Sequence, residues 1–451
     1  RKRPSQLSSS NTKDMSITNR ASASPRTPVQ IRKQAARDEP LINSVTVDHF
    51  NVPTPTALTD SMHGEIRSFG LVIARIKADS GEEGVGYITI PNNVAAGAVA
   101  SLITRDLGPS LIGQSPERTE LIWNQMAKLM RSIGRSGLVS RAMSVLDIAV
   151  WDLKAKVYKK PLWRLLGASK DSVKVVAAGV DLMLPLKDLI RQTEKFLTDG
   201  FLAIKIKVGR REMKEDIQRV RAVRAFLDNY AFEIGGQRLP LMVSADGEWS
   251  LPQAVKALAL LEKHSIEWVE MPIMSDDVNG YKKLYNTSII AVAAGSTVTT
   301  EQEVMHLICE GKLSIAQIGV NNIGGITPFM KAARLAEIHK IPVTTQGPHD
   351  IHFHLVAALD NATFCEVSEF RLNEFIDLPL TIVNGKAKLS DVPGHGVRFD
   401  FKALEKHRDS TNVKTTTAQR SSRGKLTMEE ATAMTKKLPK DPWDMKMRDN
   451  V

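Results

Sequence analysis

The feature that most constrains the fold is a regular alternation of short apolar segments with helical patterns from residue 172 to residue 370. Eight segments have the length and composition of buried strands: VKVVAAGV, FLAIKIKVG, LPLMVSAD, IEWVEMPI, IIAVAAGS, IAQIGV, IPVTTQG and FCEVSEF. Helical patterns such as MKEDIQRVRAVRAFLDN and TPFMKAARLAEIHK lie between them. Eight strand–helix repeats predict an α/β fold with a parallel (β/α) barrel, in which chemistry lies at the carboxyl ends of the strands.

The residues before the barrel have a different pattern. Residues 41–90 alternate apolar and polar side chains around Gly, Asp and Ser turns, which predicts a meander of strands. Three helical patterns follow, and the last, SRAMSVLDIAVWDLKAKVY, ends before Pro161. The predicted organisation is a basic disordered tail (1–40), an α+β capping domain (41–168), the modified (β/α)8, TIM-type barrel (169–370), a return segment that packs on the capping domain (371–405) and a basic tail (406–451).

The net charge of +11 lies at the two ends of the chain rather than in its centre. Residues 1–37 contain nine Lys or Arg and one acid, and residues 406–451 contain eleven Lys or Arg and six acids. A nucleic-acid-binding protein would place its basic surface on a folded domain, so we predict no nucleic-acid partner. No apolar run approaches the roughly 18 residues of a membrane span, so we predict a soluble protein without a membrane partner.

Two observations bear on localisation. Cys309 and Cys365 lie in apolar strings and are predicted to be buried free thiols, which fits a reducing compartment and an intracellular, cytoplasmic protein. The Arg- and Ser-rich, acid-poor first segment leaves a mitochondrial transit segment as the alternative.

Charged residues stand at the ends of two predicted strands. Lys205 and Lys207 share one face of the second strand, because side chains alternate with a period of two. Two lysines that face a barrel lumen are costly unless anions meet them, so they are functional candidates; a solvated strand end is the alternative. Glu270 ends the fourth strand in WVEMP, where it is an inward-pointing ligand or a structural glutamate.

Several ordered segments together resemble one family. The segments AIKIKVG, WVEMPI, AVAAGS, GVNNIGGIT and DIAVWDLKAKVYKKPLWRLLG resemble the enolase superfamily, in its mandelate racemase/muconate-lactonizing branch, over residues 41–405. The resemblance implies a Mg²⁺ ion held by three carboxylates on the third, fourth and fifth strands. It also implies a Lys-x-Lys on the second strand, an opposing His–Asp dyad, a carboxylate or acid-sugar ligand, and symmetric homo-oligomers.

Four positions keep the residues that the resemblance implies. Lys205 and Lys207 match the Lys-x-Lys, Glu270 matches the second metal ligand, and Glu366 matches a late glutamate on the eighth strand. In these roles Lys207 would be the base, Lys205 would assist it, and Glu366 would hydrogen-bond the substrate carboxylate.

Four other positions are substituted. Ser244 and Ser296 stand where the Asp and Glu metal ligands are expected, and Gly319 and Gln346 stand where the dyad Asp and His are expected. Serine offers only a neutral hydroxyl, whereas Mg²⁺ requires hard anionic oxygens. Glycine cannot orient a histidine, and glutamine does not exchange a proton at neutral pH.

Nearby residues could take over some of these roles. Asp246, two residues beyond the first substituted ligand, is a substitute metal ligand. His349, His352 and His354 follow the lost dyad position; one of them replaces the base, or all three cap or pack a helix that begins in HDIHFHLVAAL. Glu303 is predicted to lie in the first turn of a helix capped by Thr299 or Thr300.

Two functions follow from these interpretations. The first is Mg²⁺-dependent abstraction of the proton α to a carboxylate, which dehydrates or racemises an acid sugar and is impaired by the substitutions. The second is a pseudoenzyme whose barrel is an anion-binding or oligomeric scaffold; a variant of an active parent is a third interpretation. If no metal is bound, we predict that Glu270 pairs with Lys207 and leaves Lys205 to hold an anion.

Overall fold

The structure is a computed structural model, and it describes residues 39–168, 170–370, 372–377, 380–409 and 416–417. Almost all of the predicted tail 1–40, including the transit-segment alternative, and most of the predicted tail 406–451 lie outside the described residues. Among the described residues, no helix is both long and apolar enough to cross a membrane.

The capping domain is a strand meander packed on helices, as the alternation in 41–90 predicted. Its elements are β1 (Ile42–Asp60), β2 (Gly64–Ala78), β3 (Glu83–Pro91), α1 (Ala96–Leu102) continued by a π-helical turn (Ile103–Leu107) and a 3-10 turn (Gly108–Leu111), α2 (Thr119–Leu129), α3 (Leu138–Val157) and α4 (Leu162–Leu165). β1, β2 and β3 pair antiparallel in that order, and Thr416–Thr417 (β14) pairs with β1. β3 lies directly on α3, because a Cβ at Gly86 would come within 2.0 Å of the Val145 carbonyl oxygen.

The barrel contains all eight predicted strands. Its elements are β4 (Ser172–Ala178), α5 (Leu186–Thr198), β5 (Ile204–Lys207), α6 (Met213–Glu233), β6 (Leu241–Ser244), α7 (Leu251–Leu261) with a 3-10 turn (Glu262–His264), β7 (Trp268–Glu270), α8 (Val278–Thr287), β8 (Ala291–Ala294), α9 (Glu301–Cys309), β9 (Ile315–Ile318), α10 (Ile326–Ile338), β10 (Val343–Thr345), α11 (His349–Ala357) and β11 (Cys365–Ser368). Neighbouring strands from β4 to β10 pair parallel, and β11 returns to pair parallel with β4.

The eighth repeat differs from the predicted strand–helix unit. β11 is followed by a hairpin, β12 (Ile382–Val383) and β13 (Lys386–Lys388), and β13 pairs antiparallel with β4. A short helix, α12 (Phe401–Leu404), and a 3-10 turn (Glu405–His407) follow. Phe399, just before α12, packs edge-on against Tyr87 of the capping domain. The domain boundaries given by the sequence stay predictions.

Strand alternation places the polar residues of the barrel. Ile204 and Ile206 face outward into the core shared with the helices, while Lys205 and Lys207 face the lumen. An apolar layer fills the lumen below the lysines and includes Met242, Trp268 and Ile315. α9 begins with the predicted cap: Thr300 accepts a hydrogen bond from the backbone N–H of Glu303, whose side chain accepts from the backbone N–H of Thr300. Cys365 is a buried free thiol as predicted, whereas the free thiol of Cys309 is only half-buried.

A buried carboxylate joins the capping domain to the barrel. Asp147 on α3 accepts hydrogen bonds from the backbone N–H and the hydroxyl of Thr327 in the first turn of α10, each at 2.8 Å. Gly325 at the start of that helix (φ 104°) allows the approach, since a Cβ there would lie 2.5 Å from the Asp147 side chain. Burial raises the pKa of Asp147 to about 7, although the bonds from Thr327 oppose this shift.

The raised pKa of Asp147 predicts a pH dependence of stability. The folded state binds a proton at Asp147 at pH values where the unfolded chain has lost it, so this group's contribution to stability falls as pH rises from about 4 through 7. Replacing Asp147 with Asn removes this contribution. As pH rises from 5 to 8, the free energy of unfolding of the wild type, measured with urea, should fall by about 2 kcal/mol relative to that of D147N. Parallel pH profiles for the two proteins would contradict the assignment.

Candidate active site

A cavity of about 210 Å³ opens at the carboxyl ends of the barrel strands. Residues of both domains line it: from the barrel Lys207, Asp246, Asn321, Gln346 and Glu366, and from the capping domain Asp60, His63, Tyr87 and Arg141. Its volume lies below the usual range for drug-sized ligands and suits one small molecule.

The inner end of the cavity is a cluster of buried charges around Lys205. The Nζ atom of Lys205 donates to Glu270 Oε2 on β7 and to Glu366 Oε2 on β11, and all three side chains are buried. Gln346, immediately after β10, donates from Nε2 to the other oxygen of Glu270 at 3.3 Å. One lysine therefore holds two carboxylates that belong to different strands.

Lys207 is neutralised by a different carboxylate. Its Nζ lies 2.7 Å from Asp246 Oδ1 and 3.3 Å from Ser244 Oγ. The Ser244 hydroxyl also lies 3.0 Å from Asp246 Oδ1 and 2.9 Å from Glu270 Oε1, so it links the two ion pairs. Asp246 reaches this position from the loop after β6, where its backbone has a left-handed conformation (φ 49°).

The lysine partners differ from the sequence-based prediction. The predicted pairing of Glu270 with Lys207 is wrong, and so is the predicted availability of Lys205 for an anion. Glu270 pairs with Lys205, and Lys207 pairs with Asp246. The reason is geometric: the turn after β6 carries Asp246 over the end of β5, where Lys207 lies, while Lys205 lies one layer deeper, beside Glu270 and Glu366.

The carboxylates keep both lysines charged. Burial alone would lower the pKa of Lys207, but Asp246 and Glu270 raise it above its ordinary value. The pKa of Lys205 is likewise raised, because Glu270 and Glu366 outweigh its burial. Burial also works to raise the pKa of Glu270, yet Lys205 and Lys207 lower it overall. Burial raises the pKa of Glu366, since Lys205 only partly offsets it and Glu270 adds to it.

The positions expected to hold Mg²⁺ do not form a site that fits the ion. Glu270 supplies a carboxylate there, but Lys205, Ser244 and Gln346 already hydrogen-bond to it. The hydroxyl of Ser296 lies 4.0 Å from the thioether of Met271, a soft group that does not suit Mg²⁺. In the described part of the chain, no three His, Cys, Asp or Glu side chains are placed to share a metal ion.

Asp246 does not complete the metal site. Asp246 reaches the cluster, as its predicted role as a substitute metal ligand requires, but its Oδ1 atom is hydrogen-bonded to Lys207 and Ser244. A metal ion at this point would have to displace the Lys207 ammonium from its carboxylate. The remaining oxygen, Oδ2, is buried and has no hydrogen-bond partner among the described residues.

Another side chain lies close to the positions where the His–Asp dyad was expected. A Cβ at Gly319 would lie 3.1 Å from Asn321 Oδ1 and 3.0 Å from the carbonyl oxygen of Gln346. A Cβ at Gly347 would lie 2.7 Å from the same Asn321 oxygen. Asn321 thus lies beside Gly319, the predicted Asp position, and beside Gly347, which follows the predicted His position.

The three histidines after Gln346 have different surroundings. His352 Nε2 accepts from the backbone N–H of Val320, and His354 Nδ1 accepts from that of Trp163. Burial lowers the pKa of His352 to about 3 and that of His354 to about 4, so both are neutral packing residues, as one of the two interpretations held. His349 alone of the three lines the cavity.

The capping domain contributes polar groups that sequence reasoning did not identify. The carboxylate of Asp60 at the end of β1 lies 2.9 Å from Nδ1 of His63. The Tyr87 hydroxyl donates to Asp350 Oδ2 at 3.1 Å. Arg141 on α3 also lines the cavity. The signal in the sequence was an Asp-x-x-His in the turn after the first strand and an arginine in a helix that is otherwise mostly apolar.

Comparison with known families covers both domains. Residues 44–167 match the family described as "Mandelate racemase / muconate lactonizing enzyme, N-terminal domain", and residues 188–403 match "Enolase C-terminal domain-like".

Individual relatives match over most of their lengths. A 3,6-anhydro-alpha-L-galactonate cycloisomerase of Streptomyces coelicolor is 37% identical over 81% of this chain and 98% of its own, and an L-talarate/galactarate dehydratase of Salmonella typhimurium is 31% identical over 73% and 80%. The crystal structure of a Streptomyces coelicolor racemase with bound magnesium superposes with a TM-score of 0.78 at 37% identity, covering 82% of this chain and all of the other. The L-talarate dehydratase of Polaromonas sp., complexed with Mg and L-glucarate, gives 0.74 at 26% identity over 84% of this chain and all of its own.

Proposed function

The chain belongs to the mandelate racemase/muconate lactonizing enzyme family of the enolase superfamily, and we propose that it binds a polyhydroxy carboxylic acid, the ligand class for which its relatives are named, but without Mg²⁺ and without turnover. The proposal keeps the ligand class of the family and departs from its chemistry. A single observation carries it: the carboxylates at the strand ends are bound to the protein's own lysines.

The ion pairs argue against α-proton abstraction. A proton α to a carboxylate is a very weak acid, so its removal needs an unprotonated base and positive charge that stabilises the dianion. Asp246 and Glu270 raise the pKa of Lys207, and an ammonium group cannot accept a proton. The positive charges of Lys205 and Lys207 are neutralised by Glu270, Glu366 and Asp246. Neither requirement is met by the residues in these positions.

The cavity and the relatives support the ligand class. Relatives of the chain include dehydratases named for talarate, galactarate, arabinonate and gluconate. The cavity lies between the capping domain and the strand ends and has the size of one small acid. Carboxylate, amide and hydroxyl groups line it, which suits a ligand rich in hydroxyl groups.

The proposed function predicts binding without turnover. In EDTA, calorimetric titration with D-gluconate, galactarate and L-talarate should show saturable binding by at least one acid, and added Mg²⁺ should leave the affinity unchanged. In D2O with Mg²⁺, proton NMR of the bound acid should show neither exchange of its α-proton nor a dehydrated product. Turnover that requires Mg²⁺ would overturn the proposal and restore the family's reaction.

A second candidate function is metal-independent proton transfer, favoured by the Asp60–His63 pair. The carboxylate accepts from Nδ1 of His63, which leaves Nε2 as a base, and both residues line the cavity. α-Proton exchange that persists in EDTA and disappears in H63Q, but not in the surface variant H339Q, would favour this function over simple binding.

The expected homo-oligomer and the expected cytoplasmic or mitochondrial localisation stay predictions. Size-exclusion chromatography with light scattering tests the first, and cell fractionation tests the second.

A further inference from the structure

Arg141 is a half-buried cation in the cavity without an anionic partner. It lies on α3 and lines the cavity from the capping-domain side. Among the described residues, no hydrogen bond or ion pair reaches its guanidinium group, and no carboxylate contributes to its pKa, which burial alone lowers. Removing a guanidinium from water without a partner costs free energy, which an anionic ligand would recover.

The lysine end of the cavity has no net positive charge. Two ammonium groups there, Lys205 and Lys207, face three carboxylates, Glu270, Glu366 and Asp246. A ligand carboxylate placed at this end would meet at least as much negative as positive charge. Arg141 therefore favours a negatively charged group of a ligand, whereas the carboxylate-rich cluster favours neutral hydrogen-bond donors.

The same cavity contains acceptor atoms that lack donors. Asp246 Oδ2, Asn321 Oδ1 and Asn322 Oδ1 are buried and have no hydrogen-bond partner among the described residues, and all three belong to residues that line the cavity. The orientation of the Asn322 amide is set by its donation to the Ser296 carbonyl oxygen at 2.7 Å. A buried acceptor left without a donor destabilises the folded state, so hydrogen-bond donors from a ligand would stabilise the complex.

We propose that Arg141 binds the carboxylate of the ligand, while Asp246, Asn321 and Asn322 accept hydrogen bonds from its hydroxyl groups. This inference rests on the proposed function and deepens it, because it specifies a polyhydroxy monoacid and its orientation. The carboxylate lies at the capping-domain side rather than against Glu366, where the resemblance had placed it. A guanidinium also suits a carboxylate better than an ammonium does, because its planar fork can donate two parallel hydrogen bonds.

Arginine substitution with matched ligands tests the proposal. Titration calorimetry in EDTA compares D-gluconate with D-glucitol, in which a CH2OH group replaces the carboxylate and the other hydroxyls are the same. The wild type should prefer gluconate. In R141Q the gluconate Kd should rise about tenfold to a hundredfold while the glucitol Kd stays unchanged. The gluconate Kd of R141K should lie between those of the wild type and R141Q. R334Q is the matched control, since Arg334 pairs with Glu337 on a solvent-exposed helix surface.

The outcomes separate this inference from the proposed function. If the wild type and R141Q bind gluconate equally well in EDTA, the carboxylate lies elsewhere; the Arg141 assignment falls and the proposed function stands. If the wild type binds gluconate only when Mg²⁺ is added, the proposed function falls, and the Arg141 inference falls with it. If the affinity of R141Q for glucitol falls as much as its affinity for gluconate, the arginine supports the fold of the pocket and does not select a carboxylate.

Discussion

Replacing Lys205 with Met is expected to destabilise the folded state by about 3–5 kcal/mol at pH 7.5, the cost of breaking a buried ion pair from one side. The substitution keeps the apolar stem and removes the ammonium group that Glu270 and Glu366 share. The two carboxylates would then face each other while buried, with Lys207 as the neighbouring cation. Urea unfolding of the wild type and K205M measures the effect.

The pH dependence identifies the cause of that loss. Without Lys205, burial and mutual repulsion raise the folded-state pKa values of Glu270 and Glu366 above that of an unfolded glutamate, near 4.3. The folded variant then binds more protons than the unfolded chain, so its stability rises as pH falls towards 5, and its deficit relative to the wild type shrinks.

Two further variants test whether the cluster is responsible. K205M combined with E366Q should recover part of the stability, because a single carboxylate remains. K331M is the control, since Lys331 pairs with Glu120 at the exposed surface and should cost under about 1 kcal/mol. A loss below about 1 kcal/mol for K205M at pH 7.5 would mean that the cluster is not a buried network of charges.

Restoring the two expected ligands, S244D with S296E, is expected to create a Mg²⁺ site. The carboxylate added at position 244 would lie near Glu270, because Ser244 Oγ is 2.9 Å from Glu270 Oε1. In EDTA the extra negative charges repel one another and the double variant should be less stable than the wild type. Mg²⁺ neutralises them, so a concentration of 100 Kd should restore about 2.7 kcal/mol.

The restored site is measured by thermal and urea unfolding with and without Mg²⁺. S244N with S296Q is the matched control, since it adds similar volume without charge, and Mg²⁺ should leave its stability unchanged. A double variant that does not respond to Mg²⁺ would mean that Ser244 and Ser296 are not the ligand positions.

Much of the fold could be predicted because it follows from local periodicity. Short apolar segments that alternate with helical patterns predicted the eight barrel strands, and a period of two predicted that Lys205 and Lys207 share a face, which lies toward the lumen. The helix start was likewise predicted, with Thr299 or Thr300 as its cap, and the cap is Thr300. Such features depend on residues that are close together in the sequence, so they can be predicted from one sequence.

The partners of the lysines could not be predicted in the same way. Their identity depends on how far the loop after β6 folds back, and the left-handed backbone of Asp246 is not visible in the pattern of apolar residues. Arg141 and the Asp60–His63 pair reach the cavity because the capping domain packs over the barrel mouth. Contacts between distant segments of this kind are set by tertiary packing rather than by spacing.

Titration of the unmodified, full-length chain with Mg²⁺ by calorimetry tests the central claim most directly, with the S244D/S296E variant as the positive control. We expect no saturable heat up to about 10 mM Mg²⁺, a concentration at which a carboxylate-rich site would be filled. Saturable one-to-one binding at micromolar Mg²⁺ would contradict it, because the ion would then have displaced Lys205 or Lys207 from the carboxylates that they neutralise.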